Sequence, residues 1–279
     1  MSRRVPSRPG REPGDASTSR ALRPRGVRGS AARPQPRVLV VAGLDPSGGA
    51  GLVADLEALR AAGARGWAVA AALTAQGPLG ARGFEPVSET MLLAQIDALL
   101  AGRERPRAVK TGMVGSAALA RTLANRLAAA PLRRVPLVVD PVLAASSGVP
   151  LLELGGAAPG DALVPLLARV RLATPNLPEL AALTGEDVST DDAAIRAARK
   201  LPARAVLVKG GHRRGAPVDL LVEGGRVVRL VGRRRPGTFR GTGCRLASAA
   251  AAFLAAGAPV EEAVRRAKRI VERYLDAGG

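Results

Sequence analysis

The amino-acid sequence predicts an α/β fold in which a mostly parallel sheet carries helices on both faces. Short aliphatic runs alternate along the chain with segments whose apolar residues recur at helical spacing. The aliphatic runs show no polar alternation, which is typical of strands buried on both sides of a parallel sheet. Hydrophobic residues make up 47% of the 279-residue chain but aromatic residues only 2%, so the core must be built from Ala, Val and Leu.

The predicted elements follow one another in a regular strand–helix rhythm. Strands are expected at 37–43, 67–75, 108–114, 137–140, 172–174 and 205–209. Helices are expected at 52–61, 89–100, 117–128, 177–183, 190–199, 243–256 and 259–275. The runs 219–222 and 226–231, joined by Glu223-Gly224-Gly225, predict a small β-hairpin. Neither a linker nor a repeat interrupts residues 38–279, which predicts one domain.

Residues 1–37 differ in composition from the rest of the chain. They are rich in Pro, Gly, Ser and Arg and have no apolar periodicity, so we expect a disordered basic tail. The segment lacks the apolar stretch of a secretory signal, and its Pro and Gly spacing would break the amphipathic helix of a transit peptide. A start codon placed too early is an alternative origin.

The net charge of +19 suggests nucleic-acid binding, but other features disfavour a specific nucleic-acid partner. Nearly all of the 42 basic residues are Arg, which is typical of GC-rich codon usage, and ten of these lie in residues 1–37. Interleaved aromatic residues, which single-strand binding surfaces use for stacking, are missing. No run approaches the roughly 18 apolar residues of a membrane span, so we expect no membrane partner.

The single Cys and single His limit the chemistry that the chain can perform. The single Cys excludes an intrachain disulfide and a multi-thiolate metal site. The single His leaves no His cluster for zinc or for a serine-type triad. A lone Cys fits a reducing compartment, which predicts a cytoplasmic protein. His212 lies in a predicted loop, and we assign it no chemistry.

Polar residues follow most of the predicted strands, which favours a ligand cleft at one edge of the sheet. Ligands of open α/β sheets bind at the carboxyl ends of the strands. The residues found there are Asp45, Gln76, Met113, Asp140, Asn176 with Glu179, and Lys209.

The segment Gly241-Thr242-Gly243-Cys244, called the anion loop below, opens a long apolar helix. Free backbone N–H groups and the helix dipole favour an anion there, although Gly-x-Gly before a helix is often only a tight turn. Neither a P-loop nor a dinucleotide-binding glycine pattern is present. The dipole would also lower the pKa of Cys244 and favour a thiolate, unless Cys244 is a small buried apolar residue.

The remaining cleft residues each allow two interpretations. Lys209 either neutralises phosphate charge or is a solvated strand end. Asn176 and Glu179 fit both Mg²⁺ ligation and a helix capping box, and the two roles are compatible. Asp140, before Pro141, is either a metal or water partner or a turn residue.

Taken together, these segments resemble the hydroxymethylpyrimidine/phosphomethylpyrimidine kinases, thiamin-pathway members of the ribokinase-like superfamily. The resemblance spans residues 38–275 and includes the anion loop. The other matching motifs are Ala42-Gly43-Leu44-Asp45-Pro46-Ser47-Gly48-Gly49-Ala50-Gly51 with Ala54-Asp55, Thr74-Ala75-Gln76, Lys110-Thr111-Gly112-Met113, Val139-Asp140-Pro141-Val142, Ser147-Gly148, Thr174-Pro175-Asn176-Leu177-Pro178-Glu179 and Val208-Lys209-Gly210-Gly211-His212.

The resemblance implies a three-layer α/β/α fold and two successive ATP-dependent phosphorylations. They act on 4-amino-5-hydroxymethyl-2-methylpyrimidine and on its monophosphate, with ATP and Mg²⁺ as cofactors. It implies that Gln76 hydrogen-bonds the pyrimidine and that Cys244 replaces the aspartate base of other relatives, beside the amides of an anion hole. The implied substrate-side residues are Gln76, Gly43, Ala50, Asp55 and Met113. The implied nucleotide or metal residues are Lys209, Asn176, Glu179, Thr242 and Asp140.

Three positions depart from the family pattern and leave alternatives open. Arg240 and Arg245 stand where His and Thr are common, and each guanidinium either clamps phosphate or points outward. The loop 77–80 also differs, which bears on substrate choice. A pyridoxal-type kinase, a non-catalytic relative and a basic nucleic-acid-associated protein are the rival interpretations. The oligomeric state is open, with a homodimer as one alternative.

Overall fold

The computed structural model describes residues 35–145, 147–211 and 215–279. Most of the predicted tail, residues 1–34, and the predicted loop residue His212 lie outside the described residues. The described chain from Gln35 to Gly279 forms one compact unit. Its first strand begins at Arg37, where the apolar pattern of the sequence begins.

Nine strands within the described residues form the central sheet. They are β1 Arg37–Leu44, β2 Arg65–Gly77, β3 Gly80–Pro86, β4 Ala108–Thr111, β6 Leu137–Val139, β8 Leu172–Ala173, β9 Ala205–Val208, β10 Val218–Glu223 and β11 Arg226–Val231. The order across the sheet is β11-β10-β9-β8-β6-β4-β1-β2-β3. The six strands from β9 to β2 are parallel, and β3, β10 and β11 join antiparallel at the two edges. A separate parallel pair consists of β5 Gly115–Ser116 and β7 Leu152–Glu153.

In the part of the chain that the structure describes, eight α-helices cover the two faces of this sheet. They are α1 Gly51–Ala61, α2 Glu89–Leu100, α3 Ala117–Ala128, α4 Pro159–Leu167, α5 Leu177–Thr184, α6 Asp191–Lys200, α7 Thr242–Ala255 and α8 Val260–Asp276, with one 3-10 turn at Leu132–Arg134. Helices α1, α7 and α8 share one apolar core with one face of β1, and α2 to α6 share a second core with its other face. The three-layer α/β/α architecture and the hairpin β10–β11 confirm the predicted fold. None of the described helices is long and apolar enough to cross a membrane.

The short pair β5–β7 and the 3-10 turn were not predicted, and neither were two longer elements, whose sequences contain residues that weaken regular structure. Strand β3 contains two glycines and only one large apolar residue, Phe84, and it forms through backbone pairing with β2. Helix α4 begins with Pro159 and contains Pro165, which resembles a loop in sequence although Pro is well tolerated in the first turn. The predicted strand 108–114 is shorter than expected and ends at Thr111.

Candidate active site

A cavity of about 680 Å³ lies at the carboxyl ends of the parallel strands. It brings together all of the predicted site residues except Asp55. Those residues are Gly43, Ala50, Gln76, Met113, Asp140, Asn176, Glu179, Lys209, Gly241, Thr242, Gly243 and Cys244. The cleft predicted from the strand ends is therefore present as one continuous space.

Lys209 is the centre of a charged network in this cavity. Its Nζ donates to Asp140 Oδ1 at 2.7 Å and lies 3.5 Å from Glu179 Oε2. Thr174 Oγ1 donates to the same Asp140 oxygen at 3.0 Å. Asp140 after β6 and Glu179 in the first turn of α5 thus hold the ammonium of Lys209, which follows β9, between two carboxylates, and Lys209 is not a solvated strand end.

The ionisation of these groups follows from burial and mutual attraction. Burial opposes the charge on Asp140, but Lys209 and Lys110 outweigh it and hold the pKa of Asp140 below its ordinary value. Burial likewise opposes the Lys209 charge, yet Asp140 and Glu179 raise the pKa of Lys209. Burial dominates at Glu179 and raises its pKa. Lys209 is therefore a permanent cation across the physiological pH range.

Asn176 and Glu179 form the capping box of α5. The Asn176 side chain accepts from the Glu179 backbone N–H at 2.8 Å, and Glu179 Oε2 accepts from the Asn176 N–H at 2.7 Å. Both residues still line the cavity. The cap orients the Glu179 carboxylate toward Lys209. The helix-capping interpretation is therefore confirmed, and both residues remain part of the cavity lining.

The anion loop lies directly against the Gly-rich loop of residues 45–51. Gly241 has φ +66°, and a Cβ there would stand 2.2 Å from the carbonyl oxygen of Gly49. A Cβ on Gly243 would meet Lys209 Nζ at 3.1 Å. Glycine at both positions lets the start of α7 approach the Gly-rich loop on one side and the Lys209 ammonium on the other.

Cys244 lines the cavity near the N-terminus of α7, but the expected lowering of its pKa is wrong. Burial raises the pKa of the thiol to about 11. The charges of Asp55 and Asp140 act in the same direction, while Lys110 opposes them. Loss of hydration is the largest of these effects, so the thiol is protonated at neutral pH.

Asp55 does not line the cavity, so the structure does not support its predicted contact with substrate. Lys110 Nζ donates to both Asp55 carboxylate oxygens at 2.8 Å, and Ser248 Oγ donates to Oδ1 at 2.7 Å. Asp55, Lys110 and Ser248 are fully buried. Asp55 instead holds Lys110, which itself lines the cavity and is a site residue that sequence reasoning missed. The motif 110–113 was its only sequence signal.

The part of the cavity that contains the predicted substrate-side residues is built around Gly43 and Met113. A Cβ on Gly43 would stand 2.7 Å from Met113 Sδ, so glycine makes room for this side chain. Gln76 follows a register shift in the β2–β3 pairing, and such bulges redirect a side chain. Six residues that were not predicted to belong to the site also line the cavity, namely Val142, Leu143, Ala144, Ala145, Gly148 and Leu151.

The divergent loop 77–80 is the turn between β2 and β3. A Cβ on Gly80 would stand 3.2 Å from the Ser147 Cβ, so the turn touches the segment that supplies part of the cavity lining. Leu79 at the turn is 95% exposed and does not enter the cavity.

Arg240 and Arg245 both bind the Gly-rich loop. Arg240 donates to Asp45 Oδ2 at 2.6 Å and to Ser47 Oγ at 2.8 Å. Arg245 donates to Gly49 O at 3.2 Å and to Glu57 at 2.6 Å. Neither arginine is among the described residues that line the cavity. The outward-pointing alternative is wrong, because each guanidinium is engaged with the loop, and phosphate clamping stays a prediction.

The donor set suits a Mg²⁺ ion that takes most of its ligands from phosphates and water. The described residues contain no cluster of three or more His, Cys, Asp or Glu that would form a protein-only metal site. Asp140 directs Oδ1 to Lys209 and Thr174, and Oδ2 lies toward Gly243. One or two carboxylates beside a phosphate site are the usual protein contribution to nucleotide-bound Mg²⁺.

Comparison with known sequences connects this site to one family. A family model described as phosphomethylpyrimidine kinase matches residues 45–278. The hydroxymethylpyrimidine/phosphomethylpyrimidine kinase of Streptomyces coelicolor is 41% identical over 251 residues, covering 87% of this chain and 90% of that protein. The thiamine biosynthesis bifunctional protein ThiED of Geobacter sulfurreducens is also 41% identical, over 85% of this chain. This chain spans about half (49%) of the length of that bifunctional protein.

Solved structures of two related enzymes share the fold. The phosphomethylpyrimidine kinase of Clostridium difficile is 32% identical, with a TM-score of 0.72 over 86% of this chain and 99% of that one. The pyridoxal kinase of Staphylococcus aureus, in complex with AMP-PCP and pyridoxal, is 28% identical, with a TM-score of 0.72 over 85% and 86% of the two chains. The shared fold does not separate these two kinds of kinase, and the family is shown by the match over residues 45–278 and by the 41% identical relative. The chain belongs to the phosphomethylpyrimidine kinase family.

Proposed function

We propose that this chain is an ATP-dependent kinase that phosphorylates 4-amino-5-hydroxymethyl-2-methylpyrimidine and then its monophosphate. The resulting diphosphate is the pyrimidine unit used in thiamin biosynthesis. One observation carries the proposal: a single cavity contains Gln76 and Met113 together with the anion loop and Lys209. A polar ring with an attached hydroxymethyl group and the terminal phosphate of a nucleotide fit such a combination of residues.

Ring recognition rests on the amide of Gln76. An amide offers two donors and one acceptor oxygen, which match a ring nitrogen and the exocyclic amino group of an aminopyrimidine. Met113 packs beside Gly43 and supplies a polarisable apolar surface for the ring. These contacts direct the hydroxymethyl group toward the anion loop.

Phosphoryl transfer in this site depends on positioning and on neutralising charge. The substrate oxygen forms a bond to the γ-phosphorus while the bond from that phosphorus to the bridging oxygen breaks and ADP leaves. The backbone N–H groups at the start of α7 and the Lys209 ammonium stabilise the charge on the transferred group. Because the transition state is loose, the hydroxyl proton leaves late and passes to the transferred phosphoryl group.

Cys244 takes part as a protonated thiol in this proposal. Its pKa of about 11 leaves little thiolate at neutral pH, so it is a weak candidate for the base that the family resemblance implies. A thiol donates a weak hydrogen bond and adds no negative charge next to the phosphates.

Asp140 and Glu179 are the residues that would hold Mg²⁺ together with the nucleotide phosphates. When bound, Mg²⁺ supplies charge neutralisation between the phosphate groups. Lys209 remains the protein cation at this point and keeps both carboxylates oriented.

The decisive experiment gives the purified full-length chain Mg²⁺-ATP and, in separate reactions, the hydroxymethylpyrimidine, its monophosphate and pyridoxal. We expect ADP release and a new phosphorus resonance with both pyrimidines, and much slower turnover of pyridoxal. Transfer to pyridoxal alone would show that the substrate class is wrong. Transfer to none of the three would overturn the kinase proposal, since ATP, metal and acceptor are all supplied.

We also propose a cytoplasmic location, which the single free cysteine supports and which cell fractionation tests. The homodimer stays a prediction, and light scattering of the purified chain tests it.

A further inference from the structure

A carboxylate stands in the cavity wall on the substrate side, and its only cationic partner among the described residues lies outside the cavity. Asp45 lines the cavity and is 2% exposed. Its Oδ1 accepts from the backbone N–H of Ser47 at 2.9 Å and from Ser47 Oγ at 2.7 Å. Its Oδ2 accepts from the backbone N–H of Ala50 at 2.9 Å and from Arg240 at 2.6 Å.

Arg240 is therefore the residue that neutralises Asp45. Arg240 directly precedes the anion loop and contacts the carboxylate without itself lining the cavity, and its side chain is 20% exposed. The other cavity cations are already committed, because Lys209 pairs with Asp140 and Glu179 and Lys110 pairs with Asp55. Without Arg240, the charged groups around the cavity would carry an additional uncompensated negative charge.

The position of Asp45 makes this charge relevant to the reacting end of the substrate. The backbone N–H of Ala50 binds Asp45, and a Cβ on Gly241 would stand only 3.0 Å from the Ala50 Cα. Asp45, Ala50 and the anion loop thus form one continuous surface. In the proposed reaction, the hydroxymethyl group, or the phosphate that replaces its hydrogen, lies along this surface next to the anion loop.

We propose that Arg240 is a specificity-determining residue that lets the site accept a phosphorylated, anionic substrate as well as the neutral alcohol. It acts through Asp45, by cancelling a negative charge that would repel the substrate phosphate in low dielectric. The neutral alcohol carries no such charge, so its binding depends little on Arg240. This inference rests on the proposed function and adds the residue that selects between its two substrates.

The test compares Arg240→Gln with the wild-type full-length chain on both pyrimidine substrates. We expect KM for the monophosphate to rise about tenfold or more, and KM for the alcohol to change less than about twofold. The quantity compared is the ratio of the two kcat/KM values in one preparation, which a partly unfolded sample leaves unchanged. Activity of the wild type on both substrates is established first, so a failure of the kinase proposal is recognised separately.

Arg245→Gln is the matched control. Arg245 binds the same loop through Gly49 O, but its charge pairs with Glu57, which is 58% exposed, and its guanidinium stacks 3.9 Å above the Tyr274 ring. We expect this variant to affect both substrates equally. The proposal would be overturned if Arg240→Gln changed kcat/KM for the two substrates equally, because Arg240 would then only position the loop. It would also be overturned if neither kcat/KM value changed, because Arg240 would then have no role in substrate choice.

Two rescue variants separate charge from geometry. Arg240→Lys keeps the positive charge beside Asp45 but replaces the two guanidinium contacts, to Asp45 and to Ser47, with a single ammonium, so the wild-type substrate ratio should return. Adding Asp45→Asn to Arg240→Gln removes the uncompensated carboxylate, and the ratio should again return even if the loss of loop contacts lowers both rates. Failure of both rescues would contradict the electrostatic explanation.

Discussion

At the residue scale, the pKa of Cys244 decides whether this side chain is a thiolate that could act as a base or a protonated thiol. A helix N-terminus normally favours a thiolate, yet Cys244 is half-buried and lies near Asp55 and Asp140. Desolvation and the two carboxylates together outweigh the stabilisation of the thiolate by Lys110. Cys244 is thus a neutral donor near the start of α7.

This assignment predicts the pH dependence of thiol alkylation. With a pKa of about 11, the thiolate fraction of Cys244 rises about tenfold per pH unit from pH 7 to pH 10. The rate of reaction with iodoacetamide should rise by the same factor, without a plateau, measured by mass spectrometry of the intact chain. Since the chain has one Cys, no other thiol contributes. The chain unfolded in guanidinium is the control and should level off near pH 9, whereas a plateau below pH 9 in the folded chain would refute the raised pKa.

At the scale of secondary-structure elements, one ion pair connects three of them. Asp55 comes from α1, Lys110 from β4 and Ser248 from α7, and the pair has no exposed surface. Burial opposes the charge on Lys110, but the Asp55 carboxylate outweighs this effect and raises the pKa of Lys110. The pair therefore joins the helix after the Gly-rich loop to the helix after the anion loop, through the centre of the sheet.

Removing one partner of this pair should destabilise the fold strongly. Asp55→Leu leaves the Lys110 ammonium buried without a carboxylate, which costs about 3–5 kcal/mol of unfolding free energy. The double variant Asp55→Leu/Lys110→Met removes both charges and should recover most of that loss. Urea denaturation followed by circular dichroism measures both. If the double variant were no more stable than Asp55→Leu, the unpaired charge would not be the cause.

Thr111→Val is the neighbouring control in β4. Thr111 Oγ1 is the one fully buried side-chain polar atom in the described chain without a hydrogen-bond partner. Replacing it with an apolar group of the same shape removes an unpaired hydroxyl, so stability should stay constant or rise by up to about 1 kcal/mol. That outcome would show that a substitution at this depth in the sheet is not destabilising in itself.

At the scale of the whole molecule, the sequence predicted the three layers and the edge of the sheet that carries the candidate site. It did not predict the contacts between the loops at that edge. The aliphatic strands and the capped helices depend on local patterns, and parallel strands carry residues such as Lys209 and Asp140 to one edge. The directions of Arg240 and Arg245 depend on contacts between segments almost 200 residues apart in the chain. The pairing of Asp55 with Lys110 has the same origin, because no local pattern distinguishes a buried partner from a substrate contact.

Nucleotide binding should stabilise the entire domain, because Lys209 and the anion loop connect β6, β9 and α7 at the cavity. At a hundredfold excess of ADP over its Kd, binding adds about 2.7 kcal/mol to the unfolding free energy. For a domain of this size that corresponds to a rise in Tm of about 5–10 °C, measured by differential scanning fluorimetry with Mg²⁺-ADP. Lys209→Met should abolish most of the rise, since Asp140 and Glu179 then repel the phosphates. Lys200→Met removes a lysine whose ion pair with Glu186 is solvent-exposed and should keep the full rise. An equal rise in both variants would remove Lys209 from the nucleotide site.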